Sequence, residues 1–322
     1  MRFRLLLLAG VLAPLCLFGA RQEKNAWEKA WQQGMERYKQ GQYAEAVPSF
    51  EAVVRLLPER ASGHAMLGKC KYNLGDYRGA LESFETAHRL APEDGDAACR
   101  LAAAHLALKQ YDQVLKVVEA FDPSRVPADS RADCCRAAGL AALALGDPPR
   151  AADHFARGRD AAGGERRNEL QAWLVKALIQ AARQARREDQ GAAYARALPE
   201  AEALAAADPG PEAHRLAAEA ALAAGAYPQA ERHARAVLAA LPEDPYGALY
   251  LGQALSGQER YREAVEPLEA ATRLLPDEGR WAAWNPLGYA WERLGERERA
   301  RECYVKAENG EKVRKLSEAP AP

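Results

Sequence analysis

The chain has 322 residues, with 44 Lys and Arg against 45 Asp and Glu and a formal net charge of −1 at pH 7. That balance excludes a general nucleic-acid or polyanion binder, which needs a dominant basic surface. The six cysteines (Cys16, Cys70, Cys99, Cys134, Cys135 and Cys303) form no C-x-x-C pair and none precedes a His, so they read as small packing residues whose disulfide state stays open.

The chain opens on two basic residues, Arg2 and Arg4. An apolar run from Leu5 to Ala20 follows, and Arg21 breaks it abruptly. A helix of that length spans about 24 Å, short of a hydrocarbon core of about 30 Å. Pro14 and Gly19 weaken it further. Residues 1–20 are therefore read as a secretory signal peptide, cleaved after Gly19 or Ala20, with the protein exported to a periplasmic or cell-envelope location. Cleavage would leave a net charge of −3. Two alternatives stay open: an uncleaved signal anchor that holds the protein in the inner membrane, and a lipid on Cys16.

From Trp27 the sequence repeats itself with a period of 34 residues, so that Trp27–Arg60 aligns with Ala61–Asp94. A fixed period of this size points to stacked supersecondary units. Alanine, Leu, Arg and Glu dominate and β-branched residues are few, which favours helices. In the second unit Leu67, Gly68 and Tyr72 belong to a first helix, and Gly75-Asp76-Tyr77 makes a turn. Ala80, Phe84 and Ala87 then share one face of a second helix at i, i+4, i+7 spacing, and Pro92 ends it. The small Gly68 and Ala80 let the two helices approach, and Phe84 fills the space between them. Equivalent sets recur near residues 27–60, 61–94, 95–128, 132–165, 211–244, 245–278 and 281–314, with a degenerate unit over 166–210. In that unit the first helix reads as longer than the others, from Arg166 to about Arg187.

These residues resemble the tetratricopeptide repeat, which combines Trp or Leu-Gly and Tyr in one helix with Ala, Phe, Ala and a closing Pro in the next. The resemblance covers about Trp27 to Gly310. It implies an all-α fold, a right-handed superhelical solenoid of about eight antiparallel helix pairs, over 21–310. Residues 311–322 are read as a partial cap and disordered tail.

None of the spacings H-E-x-x-H, G-x-S-x-G, G-x-x-x-x-G-K-[ST] or G-x-G-x-x-G occurs. Glu85-x-x-His88 has a di-iron spacing but lacks a second such pair. Cys134-Cys135 points its two side chains about 100° apart on a helix. Arg183, Arg186 and Arg187, with Arg166 and Arg167, form a basic cluster diluted by neighbouring acids, which reads as a solvated face. No catalytic residue, metal site or cofactor is expected.

What the resemblance implies is a protein-binding groove lined by the first helices. On this chain the groove residues are Trp31, Met35, Tyr38, Lys39, Lys69, Tyr72, Asn73 and Arg136, then Tyr246, Gln253, Asn285 and Tyr289. Aromatic and Arg side chains are favoured anchors at interfaces. The leading expectation is an exported interaction scaffold that holds a peptide segment or an envelope protein. The alternatives are a self-assembling structural protein of the envelope, with homo-oligomers possible, and an accessory module of an enzyme. Nucleic acid is not expected as a partner, and a membrane only if the N-terminal segment is retained.

Overall fold

The computed structural model describes residues 26–120, 126–309 and 312. The signal-peptide reading of 1–20, and Cys16 with it, lies outside the described residues, as does the cap-and-tail reading of 311–322 except at Lys312. Among the described residues there are sixteen α-helices, one 3-10 turn at Asp277–Gly279 and no strand. They run as successive pairs. The first pair is α1 (26–39) and α2 (Tyr43–Leu56), followed by α3 (Ala61–Asn73) and α4 (Tyr77–Leu90), then α5 (Gly95–Ala107) and α6 (Tyr111–Glu119). Next come α7 (Ala128–Ala144) and α8 (Pro148–Ala161), α9 (Gly164–Gln184) and α10 (Gln190–Ala207), and α11 (Pro211–Ala223) and α12 (Tyr227–Ala240). The series ends with α13 (Pro245–Gly257) and α14 (Tyr261–Leu274), then α15 (Trp281–Arg293) and α16 (Arg297–Lys306). The chain divides into two compact bodies, one holding α1–α7 and the other beginning with α8 and running to α16.

Within each body a helix packs against the next in sequence, and odd-numbered helices also meet one another: α3 with α5 and α5 with α7 in the first, α9 with α11, α11 with α13 and α13 with α15 in the second. The cause is the small-to-large pairing visible in the sequence. A Cβ on Gly68 of α3 would stand 2.6 Å from the Phe84 ring of α4, and one on Gly34 would stand 2.9 Å from Phe50. Gly288 meets Tyr304 in the same way at 2.8 Å. Phe50, Phe84, Phe155, Leu268 and Tyr304, all on second helices, are among the largest fully buried side chains. Pro245 and Pro211 stand in the first turns of α13 and α11, where the missing N–H is harmless, whereas Pro48, Pro199, Pro267 and Pro286 lie inside helices.

Four helices are capped by aspartate, α8 among them through Asp147, which accepts from the Arg150 amide at 3.1 Å. Asp76 accepts from the Gly79 amide at 2.9 Å, Asp94 from the Asp96 amide at 2.9 Å, and the buried Asp244 from the Gly247 amide at 2.6 Å. Each satisfies an amide that the helix start leaves without a partner. Apart from the turn between α9 and α10, the turns between paired helices each hold a left-handed residue. Gly41, Gly75, Gly146, Gly225 and Gly295 supply it, with φ between 74° and 83°, but Lys109 and Glu259 hold the same position at φ 58° and 62°. At the end of the chain, Lys312 donates to Glu292 Oε2 at 3.0 Å, and Asn309 donates to Asn285 Oδ1 at 2.9 Å.

Candidate functional site

Each body carries a pocket on its odd-numbered helices. In the first, a cavity of about 160 Å³ lies between Tyr38 of α1, Lys69, Tyr72 and Asn73 of α3, and Arg100 of α5. The repeat puts them there: Tyr38 and Tyr72 are 34 positions apart, one unit, and so recur on one face of neighbouring first helices. Asp96 organises the cations. It accepts from the Ser130 hydroxyl at 2.7 Å and pairs with Lys69 Nζ at 3.4 Å and Arg100 Nε at 3.5 Å. Burial would raise the Asp96 carboxyl, but Ser130, Arg100 and Lys69 together outweigh it and hold the group below its ordinary value. Burial pushes the Tyr38 and Tyr72 phenols up, so both remain neutral donors. Two cations around one carboxylate leave this pocket with one net positive charge, suited to an acidic or carbonyl-bearing group.

The second pocket is larger, about 580 Å³, and is formed by α11, α13 and α15 with the first residues of α12 and α14. Four tyrosines line it: Tyr227, Tyr250, Tyr261 and Tyr289. Tyr261 and Tyr289 stand edge to face with centroids 5.9 Å apart. Gly257 has no side chain because the Tyr227 ring occupies that space. Glu219 lies at one side, paired with Arg183 and within 3.4 Å of the Tyr250 hydroxyl.

The structure brings together Tyr38, Lys69, Tyr72 and Asn73 in the first pocket, and Gln253 and Tyr289 in the second. Other expected groove residues lie elsewhere. Trp31 turns its ring edge to Phe50 of α2, with centroids 5.7 Å apart, and carries the Arg60 guanidinium over its face. With Met35 it belongs to the packing of the first pair. Lys39 is exposed and lines neither pocket, and Arg136 reaches Tyr72 only electrostatically. Tyr246 is exposed and packs against Tyr250, and Asn285 is engaged by Asn309. Arg100, Tyr250, Ser256 and Glu259 were not among the expected residues. Tyr250 had a signal, since it follows Tyr246 by four positions on one helix. Of the remaining sequence features, Glu85 is exposed on α4 and Cys134 is buried with Cys99 as its hydrogen-bond partner. Among the described residues no group of three or more His, Cys, Asp or Glu could hold a metal ion, and no helix is long and apolar enough to cross a membrane.

Paired helices locked by glycine-to-ring contacts define a helical-repeat fold. Family models described as tetratricopeptide repeat match residues 32–73 and 249–311, and residues 74–132. These segments make up just over half of the chain, and it belongs to the tetratricopeptide-repeat family. No curated protein matches it in sequence. Among solved structures it is similar to PilF of Pseudomonas aeruginosa, with 14% identity over 75% of this chain and 99% of that one and a TM-score of 0.50. MamA from Desulfovibrio magneticus RS-1 is 20% identical over 59% of this chain and 98% of that one, with a TM-score of 0.47. YrrB, described as a TPR protein with an unusual peptide-binding site, is 16% identical over 73% and 95%, with a TM-score of 0.45. At these identities the likeness is one of fold.

Proposed function

We propose that the protein is an exported interaction scaffold that holds peptide segments of a partner protein on its odd-numbered helices. The observation that carries this reading is the pair of tyrosine-lined pockets: both lie mainly on first helices, and both set tyrosines beside charged groups. Tyrosine offers large contact area with few rotamers to freeze, and Arg offers directional charged hydrogen bonds. Selection of a random peptide library on the full chain tests it. Selected peptides should bind at micromolar levels, and Arg100→Gln should weaken those that carry an acidic group by about tenfold. Glu85→Ala, on a second helix, should change nothing. Failure to select any peptide would contradict the reading.

The export component rests on Arg2, Arg4 and the apolar run alone. Residues 1–26 fused to a reporter active only outside the cytoplasm should give activity. A silent reporter, with the full-length chain in the cytosolic fraction, is the opposing result.

A further inference from the structure

The geometry points to the second pocket as a receptor for an arginine side chain of the bound peptide, an assignment that rests on the scaffold reading and deepens it. Three observations lead there. The walls are aromatic, and a guanidinium stacks on aromatic faces with a gain that grows as water is excluded. The structure already contains one such contact, with Arg293 Cζ lying 5.2 Å from the Tyr261 ring centroid.

The second observation is charge. Glu219 and Glu259 both line the cavity. Glu219 is taken by Arg183, but Glu259 is exposed and has no ion pair among the described residues. It stands at the turn position that glycine fills in five other repeats, with φ 62°. The cations near the rim are engaged: Lys312 pairs with Glu292 while lying 5.9 Å from the Tyr289 ring, and Arg293 covers Tyr261. A second guanidinium close to Arg293 therefore needs the Glu259 carboxylate as its counter-charge.

The third observation is Ser256. It lines the cavity at 9% exposure, and its hydroxyl has no hydrogen-bond partner among the described residues. A buried hydroxyl without a partner is costly. A guanidinium carries five N–H donors in one plane, enough to serve a carboxylate and a hydroxyl at once. An ammonium on lysine lacks that planar reach, and an acidic side chain would meet Glu259 with like charge.

Three matched pools of random nonapeptides, with Arg, Lys or Glu fixed at the central position, test this on the immobilised full chain. The Arg pool should be retained about tenfold over the Glu pool, and more strongly than the Lys pool. Glu259→Gln and Tyr289→Ala, both at exposed positions, should each remove the preference while leaving the circular dichroism and the binding of acidic peptides at the Arg100 pocket unchanged. Equal retention of the Arg and Glu pools, equal retention of Arg and Lys, or a preference that survives both variants would overturn the assignment and leave the scaffold reading standing. If no pool is retained at all, both readings fall.

Discussion

Single residues in this protein act through contact distance and burial. Gly68 and Phe84 are one interaction: a methyl at Gly68 has no room, and a truncated Phe84 leaves a void. Phe84→Ala should cost about 3–5 kcal/mol and Gly68→Ala about 1–3 kcal/mol, read as shifts in urea midpoint. The turn residues act in the opposite sense. Lys109 holds a left-handed backbone that five other turns give to glycine, so Lys109→Gly should stabilise the fold by up to about 1 kcal/mol. The five cysteines among the described residues are protected by the same packing. Burial pushes the Cys70 and Cys303 thiols up to about 11, and only the thiolate reacts. In the native chain Cys70 and Cys303 should therefore react slowly with a thiol reagent at pH 8, and fast in denaturant. Rapid native labelling of Cys70 would contradict this packing.

At the scale of elements, the junctions between helices are where charge and cap are combined. Asp244 caps α13 through Gly247 and pairs with Arg215 of α11 at 2.9 Å while itself buried. Asp244→Ala should cost about 2–3 kcal/mol, more than loss of a cap alone. Helices α11 and α12 meet at His214 and His233, whose Nδ1 atoms are 3.0 Å apart, with Arg232 and Glu202 beside the buried ring of His233. Burial, and then Arg232, lower both histidines. The unfolded chain takes up protons as pH falls through about 6.5, whereas the folded pair resists protonation. Unfolding is thus favoured on acidification, and stability should be lost as pH drops from about 6.5 through the lower folded values. The urea midpoint should fall between pH 7.5 and 5.5, and by less in His214→Gln.

The helix pairs were legible in the sequence because Gly68, Phe84 and Pro92 recur at one period and each has a local physical cause. The candidate site was legible only in part. Tyr38 and Tyr72 follow the period, so their shared face could be read. Trp31 was read as a groove residue because its position on α1 fits both a groove and a packed face, and in the structure its ring meets Phe50. Tyr227 and Tyr261 look like turn residues of their own units. They become pocket walls only when α11, α13 and α15 lie side by side, which is a tertiary fact.

For the whole molecule, stability is a sum of units and neighbour contacts rather than one core, so a pocket lesion such as Arg100→Gln should leave distant pairs folded. Peptide binding should then be read out locally. Amide hydrogen exchange of the full chain with and without a library-selected peptide tests this most directly. The expected result is slowed exchange in α3 and α5, or in α13 and α15, with α2, α4, α12 and α14 unchanged beyond their first turns. Protection confined to the second helices, or none with a saturating peptide, would contradict the assignment of the odd-numbered helices as the binding surface.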